Sequence, residues 1–256
     1  MWGVFSRGLN GFNGLKSAKS VQSAAVLLLF NAVLPRANDE FKTRAQVTKT
    51  ERVDFPPGGV LRLNNSIGEL TIEGWDRPEV EITTIKSTKA AYGAQERENA
   101  TRELNQVQVK TERRGDQVVV TTEFPRYAVF PPPLPWHSGH ANFDLEYRIN
   151  APRDARLVVD HDAGEVHVDN LAGDIQVTVL KGALTLRLPE DNSYAIDAKA
   201  DAGGIFSDFP GEMRRRLGLL GYRFTEKPSP GAHKLYLRVG FGDIAILKIL
   251  TPRYTQ

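Results

Sequence analysis

A glycine, usually followed by an acid and then by two aliphatic residues flanking one variable position, recurs five times in this chain. The copies are Gly68-Glu69-Leu70-Thr71-Ile72, Gly164-Glu165-Val166-His167-Val168, Gly173-Asp174-Ile175-Gln176-Val177, Gly182-Ala183-Leu184-Thr185-Leu186 and Gly242-Asp243-Ile244-Ala245-Ile246. A residue without Cβ can take the positive φ that turns a corner, and alternating aliphatics then share one face of a pleated strand. Gly164, Gly173 and Gly182 follow one another at nine-residue intervals. Val166 and Val168 are expected to face inward and His167 outward, and the alternation continues through Ile175, Val177 and Val179 and through Leu184, Leu186 and Leu188. One such unit cannot bury its stripe alone, whereas stacked units bury it continuously.

The expected fold is therefore all-β, a β-solenoid-like stack of short glycine-initiated strands, with an antiparallel β-meander or sandwich as the alternative. The two differ in register. If two units make one coil, His167 stacks on Thr185 at about 4.8 Å; in a meander the strand Asp174 to Val179 lies between them and their separation is roughly 10 Å.

There is no cysteine among the 256 residues. That excludes disulfides, thiolate metal sites and cysteine nucleophiles together, and it suits an exported chain that must avoid adventitious oxidation. The first 37 residues carry Arg7, Lys16, Lys19 and Arg36 and no acid, ahead of an apolar stretch from Val21 to Leu34. This is the layout of a secretory signal peptide over 1–37, with cleavage after Ala37. An uncleaved anchor and a buried core helix are the other readings of a stretch shorter than the roughly 20 residues that span a bilayer. Thirty-three basic residues less these four leave twenty-nine against thirty-one acids, so the mature chain is near −2. Mixed charges of both signs give no support for nucleic-acid binding.

Residues 38–53 are polar and read as a flexible connector, and 54–250 as a single β-repeat domain followed by a tail at 251–256. Val60 to Leu63, Glu69 to Glu73 and Val80 to Ile85 read as short strands, the last two separated by the turn signal Gly74-Trp75-Asp76-Arg77-Pro78. Helix formers with charge pairs such as Glu98 and Arg102 predict one short helix near 94–105. Val107 to Glu112 and Gln117 to Thr122 flank Arg113-Arg114-Gly115-Asp116 as a hairpin. Two irregular excursions interrupt the strands, at 124–142 and 211–231. The first holds five prolines with Tyr127, Phe130 and Trp136, too proline-rich for a central strand, and reads as a loop packed on the domain or as a partner-contact loop. The second carries Arg214, Arg215 and Arg216 beside leucines, either a solvated loop or a contact with an anionic membrane surface.

The segments from Gly68 to Ile82, Tyr147 to Leu157, Gly164 to Leu188, Ile196 to Pro210 and Gly242 to Ile246 together resemble a bacterial family of exported domains of unknown function known as adhesin-like, related to head domains of autotransporter-type adhesins. The resemblance covers most of 54–250 in order. It implies a β-solenoid-like domain at the cell envelope and carries no catalytic residue across.

Other groupings are weak. Calcium-binding β-rolls need paired glycines and an aspartate two residues after a glycine, but here each unit has one glycine with its acid directly after it. Asp160-His161-Asp162 and His137-Ser138-Gly139-His140 are the only dense sets of metal-ligating types, and both read as exposed turns rather than as the three or four converging ligands zinc requires. Glu190 and Asp191 form a conceivable glycosidase pair with no separation fixed by sequence. The favoured function is a non-catalytic exported domain that acts as an adhesin, surface-binding or envelope scaffold protein, located in the periplasm, envelope or extracellular space. It needs no cofactor and no metal. Candidate partners are an envelope component, a polysaccharide or a protein, with membrane contact only through an uncleaved N-terminal segment or Arg214 to Arg216. The alternative is a carbohydrate-active or metal-dependent hydrolase on a β-helix scaffold.

Overall fold

A computed structural model describes residues 42–124, 143–215, 221–226 and 229–249. The expected signal segment, the aromatic residues Tyr127, Phe130 and Trp136, and Arg216 lie outside them. The chain forms β1 (Thr43–Asp54), β2 (Val60–Trp75), β3 (Glu79–Tyr92), α1 (Ala94–Leu104), β4 (Gln108–Arg114), β5 (Gln117–Glu123), β6 (Phe143–Pro152), β7 (Arg156–Asp169), β8 (Ile175–Lys181), β9 (Leu184–Pro189), β10 (Tyr194–Ala202), β11 (Ile205–Ser207), β12 (Glu212–Arg215), β13 (Tyr222–Thr225), β14 (His233–Phe241) and β15 (Ile244–Ile249). Among the described residues the fold is all-β with one short helix, as expected from the sequence.

All fifteen strands belong to one open mixed sheet. Two ladders share β2 and β7. The first halves of these strands join the ladder β5-β2-β7-β8-β14-β10-β13-β12, and their second halves join β1-β3-β6-β2-β7-β9-β15-β11. The central pairings are parallel, whereas β1-β3-β6, β4-β5 and β10-β13-β12 are antiparallel. Inward side chains of both ladders form one core in which Leu70, Ile72, Val166, Val168, Leu184 and Leu186 are completely buried. Each such side chain contributes about 1.5–3 kcal/mol relative to exposure.

Positions eighteen apart lie in register, Leu157 with Ile175 and Val166 with Leu184. His167 pairs with Thr185 in parallel, and β8 pairs with the first half of β7 rather than lying between them. Because paired Cα atoms about 4.8 Å apart fall inside disulfide range, the double variant His167→Cys, Thr185→Cys should oxidise readily to an internally crosslinked monomer on a non-reducing gel. A folded double variant that stays reduced under oxidant would contradict this register.

The corner between the ladders is built by backbone. Gly68, Gly164, Gly182 and Gly242 have φ of 89°, 126°, 143° and 136°. Each faces the next strand so closely that a Cβ on Gly164 would lie 1.9 Å from the Gly68 carbonyl oxygen, one on Gly182 1.7 Å from that of Gly164, and one on Gly242 1.8 Å from that of Gly182. Two corrections follow. Gly173 does not have positive φ and is not on this corner; its Cβ would meet the Ala155 carbonyl at 2.2 Å. Nine residues is half the eighteen-residue register, so Gly173 falls at the other end of the ladder. The place at the corner belongs instead to Gly203, at φ 150°, which the five-copy pattern does not include.

Three further expectations are corrected. The supposed connector contains β1, an edge strand whose outer edge is solvated and whose sequence is therefore polar; it pairs with β3, buries Ala45 against Ala100 and Leu104 of α1, and bonds Thr50 to Thr83 and Arg52 to Glu81. Val60 to Leu63 and Glu69 to Glu73 are not separate strands but parts of the continuous β2, bent where Asn65 and Gly68 take positive φ. The excursion at 211–231 is not wholly irregular: β12 and β13 pair antiparallel at the edge, anchored by the buried Phe224, so Arg214 and Arg215 lie on a strand rather than in a loop.

Candidate binding face

Outward side chains of the first ladder follow from the same alternation that buries Leu235, Leu237 and Val239. Between these on β14 stand Tyr236 and Arg238. Parallel pairing aligns Tyr236 with Asp197 and Arg238 with Lys199 on β10, and antiparallel pairing aligns Lys199 with Arg223 on β13 and Arg223 with Arg214 on β12. Four cations thus stand on four adjacent strands, at the roughly 4.8 Å spacing of a ladder.

Like charges at that spacing repel, and three acids hold them in place. Asp197 accepts two bonds from Arg223, at 3.1 and 3.0 Å, and one from Arg238 at 2.9 Å. Arg238 also donates to the carbonyls of Asp197 and Leu237 at 2.7 and 2.8 Å, and its guanidinium stacks 3.6 Å from the centre of the Tyr236 ring. Lys199 pairs with Asp201 at 2.9 Å and Arg214 with Glu212 at 2.9 Å. Burial pushes the Asp197 carboxyl up, but the bonds and charges of Arg238 and Arg223 outweigh that and hold it below its ordinary value. Tyr236 remains 44 % exposed. The result is an outward face with an aromatic ring, a guanidinium stacked on it and a net excess of one cation in the row. Such a surface can stack a sugar ring or bond an oxyanion.

The residues singled out from the sequence do not converge. The turn glycines form backbone corners and hold no ligand. His161 is inward and 2 % exposed because strand alternation places it between the outward Asp160 and Asp162; its Nδ1 bonds Ser66 Oγ at 2.8 Å and its Nε2 has no partner. The reading of this triplet as an exposed turn is thus corrected: all three residues lie on β7, and of them His161 is buried. Glu190 lies 3.9 Å from Lys248, and His137 and His140 fall outside the described residues. Among the described residues no three metal-ligating side chains cluster, and no helix is long and apolar enough to cross a membrane. Sequence reasoning missed Tyr236, Arg238, Asp197 and Arg223. Period-two alternation in Leu235 to Val239 marks the first two as outward, but nothing local joins them to Asp197, forty-one residues from Arg238.

Neither a family model nor a curated protein matches the chain. Among solved structures it is similar to a "putative cell adhesion protein" from Clostridium sporogenes ATCC 15579, with 16 % identity, coverage of 79 % of this chain and 100 % of that one, and a TM-score of 0.43. It is also similar to a "putative adhesin" from Bacteroides fragilis NCTC 9343, with 9 % identity, coverage of 79 % and 97 %, and a TM-score of 0.30.

Proposed function

We propose that this chain is an exported, non-catalytic, adhesin-like domain that binds an envelope or surface component through the outward face of β14, β10 and β13. The observation that carries the reading is the clamp of Asp197 between Arg238 and Arg223 beside the exposed Tyr236. A side chain fixed before its ligand arrives loses less conformational freedom on binding, which favours recognition over an open solvated surface. The rest of the molecule acts as a scaffold in this reading. The eighteen-residue register supports a β-solenoid-like stack, two glycine-initiated units to a coil, that presents outward residues in rows. The basic, acid-free start supports export with cleavage after Ala37.

One experiment addresses both halves. The 256-residue chain with a C-terminal tag is expressed in a bacterial host, fractionated and sequenced from its N-terminus. The expected result is a product beginning near Asn38 that sediments with envelope material, and a Tyr236→Ala, Arg223→Ala variant that is processed and folded equally but released into the soluble fraction. Intact Met1 in the cytoplasm would overturn export. Unchanged retention of the variant would overturn the assignment of this face.

A further inference from the structure

A second region, formed by β1, β3 and β4, holds a buried lysine that is in no ion pair among the described residues. Lys86 on β3 points inward with Ile82 and Thr84 and is 8 % exposed. Its ammonium donates to the carbonyl of Val107, just past the end of α1, at 2.9 Å. Among the described residues it makes no ion pair. The two other lysines of the same cleft are each matched, Lys49 to Glu51 at 2.6 Å and Lys110 to Glu123 at 2.7 Å. The acids that line the cleft are engaged as well: Glu51 also accepts from Thr111 at 2.8 Å, and Glu112 accepts from Arg114 at 3.0 and 2.6 Å.

An ammonium carries three donors, and the protein fills one of them here. A charge taken out of water without a counter-charge is unfavourable, and buried ions are accordingly paired or bonded. Burial and the neighbouring Lys49 both push the Lys86 pKa down, the direction expected for a cation that no carboxylate offsets. The space beside it is open. A cleft of about 660 Å³ runs between β1, β3 and the start of β4, lined by Thr48, Thr84, Thr111 and Asn105 as well as by the lysines. Its size is within the range of small-molecule sites.

We propose that this cleft binds a small oxyanion, with its charged group against the Lys86 ammonium and its own hydroxyls donating to Thr84 and Thr111, whose protons are already given to the Lys49 carbonyl and to Glu51. The shared chemistry is a carboxylate or a phosphate, and hydroxyl-lined space beside the ammonium suits a hydroxylated acid such as a hexuronate. The inference is independent of the face formed by Tyr236 and Arg238, and neither fails with the other.

The test measures the melting temperature of the full chain in D-glucuronate, inorganic phosphate and neutral D-glucose, at ionic strength held constant with chloride. A saturable rise with an anion but not with glucose, abolished in Lys86→Met, is the expected result. A larger rise with glucuronate assigns a sugar acid, and a larger rise with phosphate assigns a phosphate group. Equal behaviour in all three solutions, or a rise that survives in Lys86→Met, overturns the proposal. The wild-type chain gives a second readout that needs no variant. Anion at ten times its Kd should slow acetylation of Lys86, followed by mass spectrometry, about tenfold, while the exposed Lys234 reacts as before. Equal labelling of Lys86 with and without anion overturns the proposal too.

Discussion

Gly182→Ala is expected to destabilise the fold by about 2–6 kcal/mol, and Gly182→Val to prevent folding altogether. Two effects combine at this position. A φ of 143° is a region that side chains rarely adopt, at a cost of about 1–3 kcal/mol. The added Cβ would also stand 1.7 Å from the carbonyl oxygen of Gly164, and relieving such an overlap in a packed ladder costs about 1–3 kcal/mol more. Gly182 is flanked by the equally constrained Gly164 and Gly242, so the strands cannot shift on either side. Gly115 supplies the comparison. Its φ is 65° and nothing lies within 4 Å of its missing Cβ, so Gly115→Ala should cost only about 1–2 kcal/mol of left-handed strain. Urea denaturation of the three proteins measures the difference. A Gly182→Ala protein as stable as Gly115→Ala would mean that the corner is not built by close backbone approach.

The second large effect is acid destabilisation through His161. Burial drives its pKa down from 6.5 to about 4, the backbone of Gly68 and Ala163 offsetting only part of that, because a charged imidazole in the core loses its hydration. In the unfolded chain the same ring takes up its proton near 6.5. Between these two values the unfolded state binds more protons than the folded one, so stability falls as pH is lowered through that window and the loss is complete below about 4. The gap between 6.5 and about 4, at about 1.4 kcal/mol per pH unit, gives a loss of about 3 kcal/mol. Carboxylates elsewhere also titrate at the acid end, so the decisive comparison is His161→Leu, in which the decline from pH 6.5 should be shallower by about that amount. Nuclear magnetic resonance supplies the direct check. An imidazole that titrates near 6.5 in the folded chain would remove the basis of this prediction.

Much of the fold was legible because it is written in local periodicity. Period-two alternation in Val166 to Val168, Ile175 to Val179 and Leu184 to Leu188 survives in the structure with its inward and outward sides as expected. The helix is found at Ala94–Leu104 and the hairpin at Gln108–Arg114 and Gln117–Glu123. Edges were harder to read. β1 and β12 face solvent along one side, so their sequences carry few buried residues and look like linker.

The sequence by itself determined which residues alternate and that the backbone turns at Gly68, Gly164, Gly182 and Gly242. These properties depend on neighbours a few residues away along the covalent chain. Tertiary structure alone decided which strand lies beside which. β14 comes after β10 to β13 in the chain, yet it inserts between β8 and β10, and β15 pairs with both β9 and β11. That insertion brings Arg238 and Tyr236 against Asp197. The antiparallel edge of β13 then adds Arg223. The joining of Ser66 to His161 and of Lys86 to Val107 has the same origin. Hydrogen-bonded ladders impose no preference on the sequence distance between partners, so the long-range contacts that make sites leave no local trace, while the pleat that buries the core repeats every two residues and leaves one throughout.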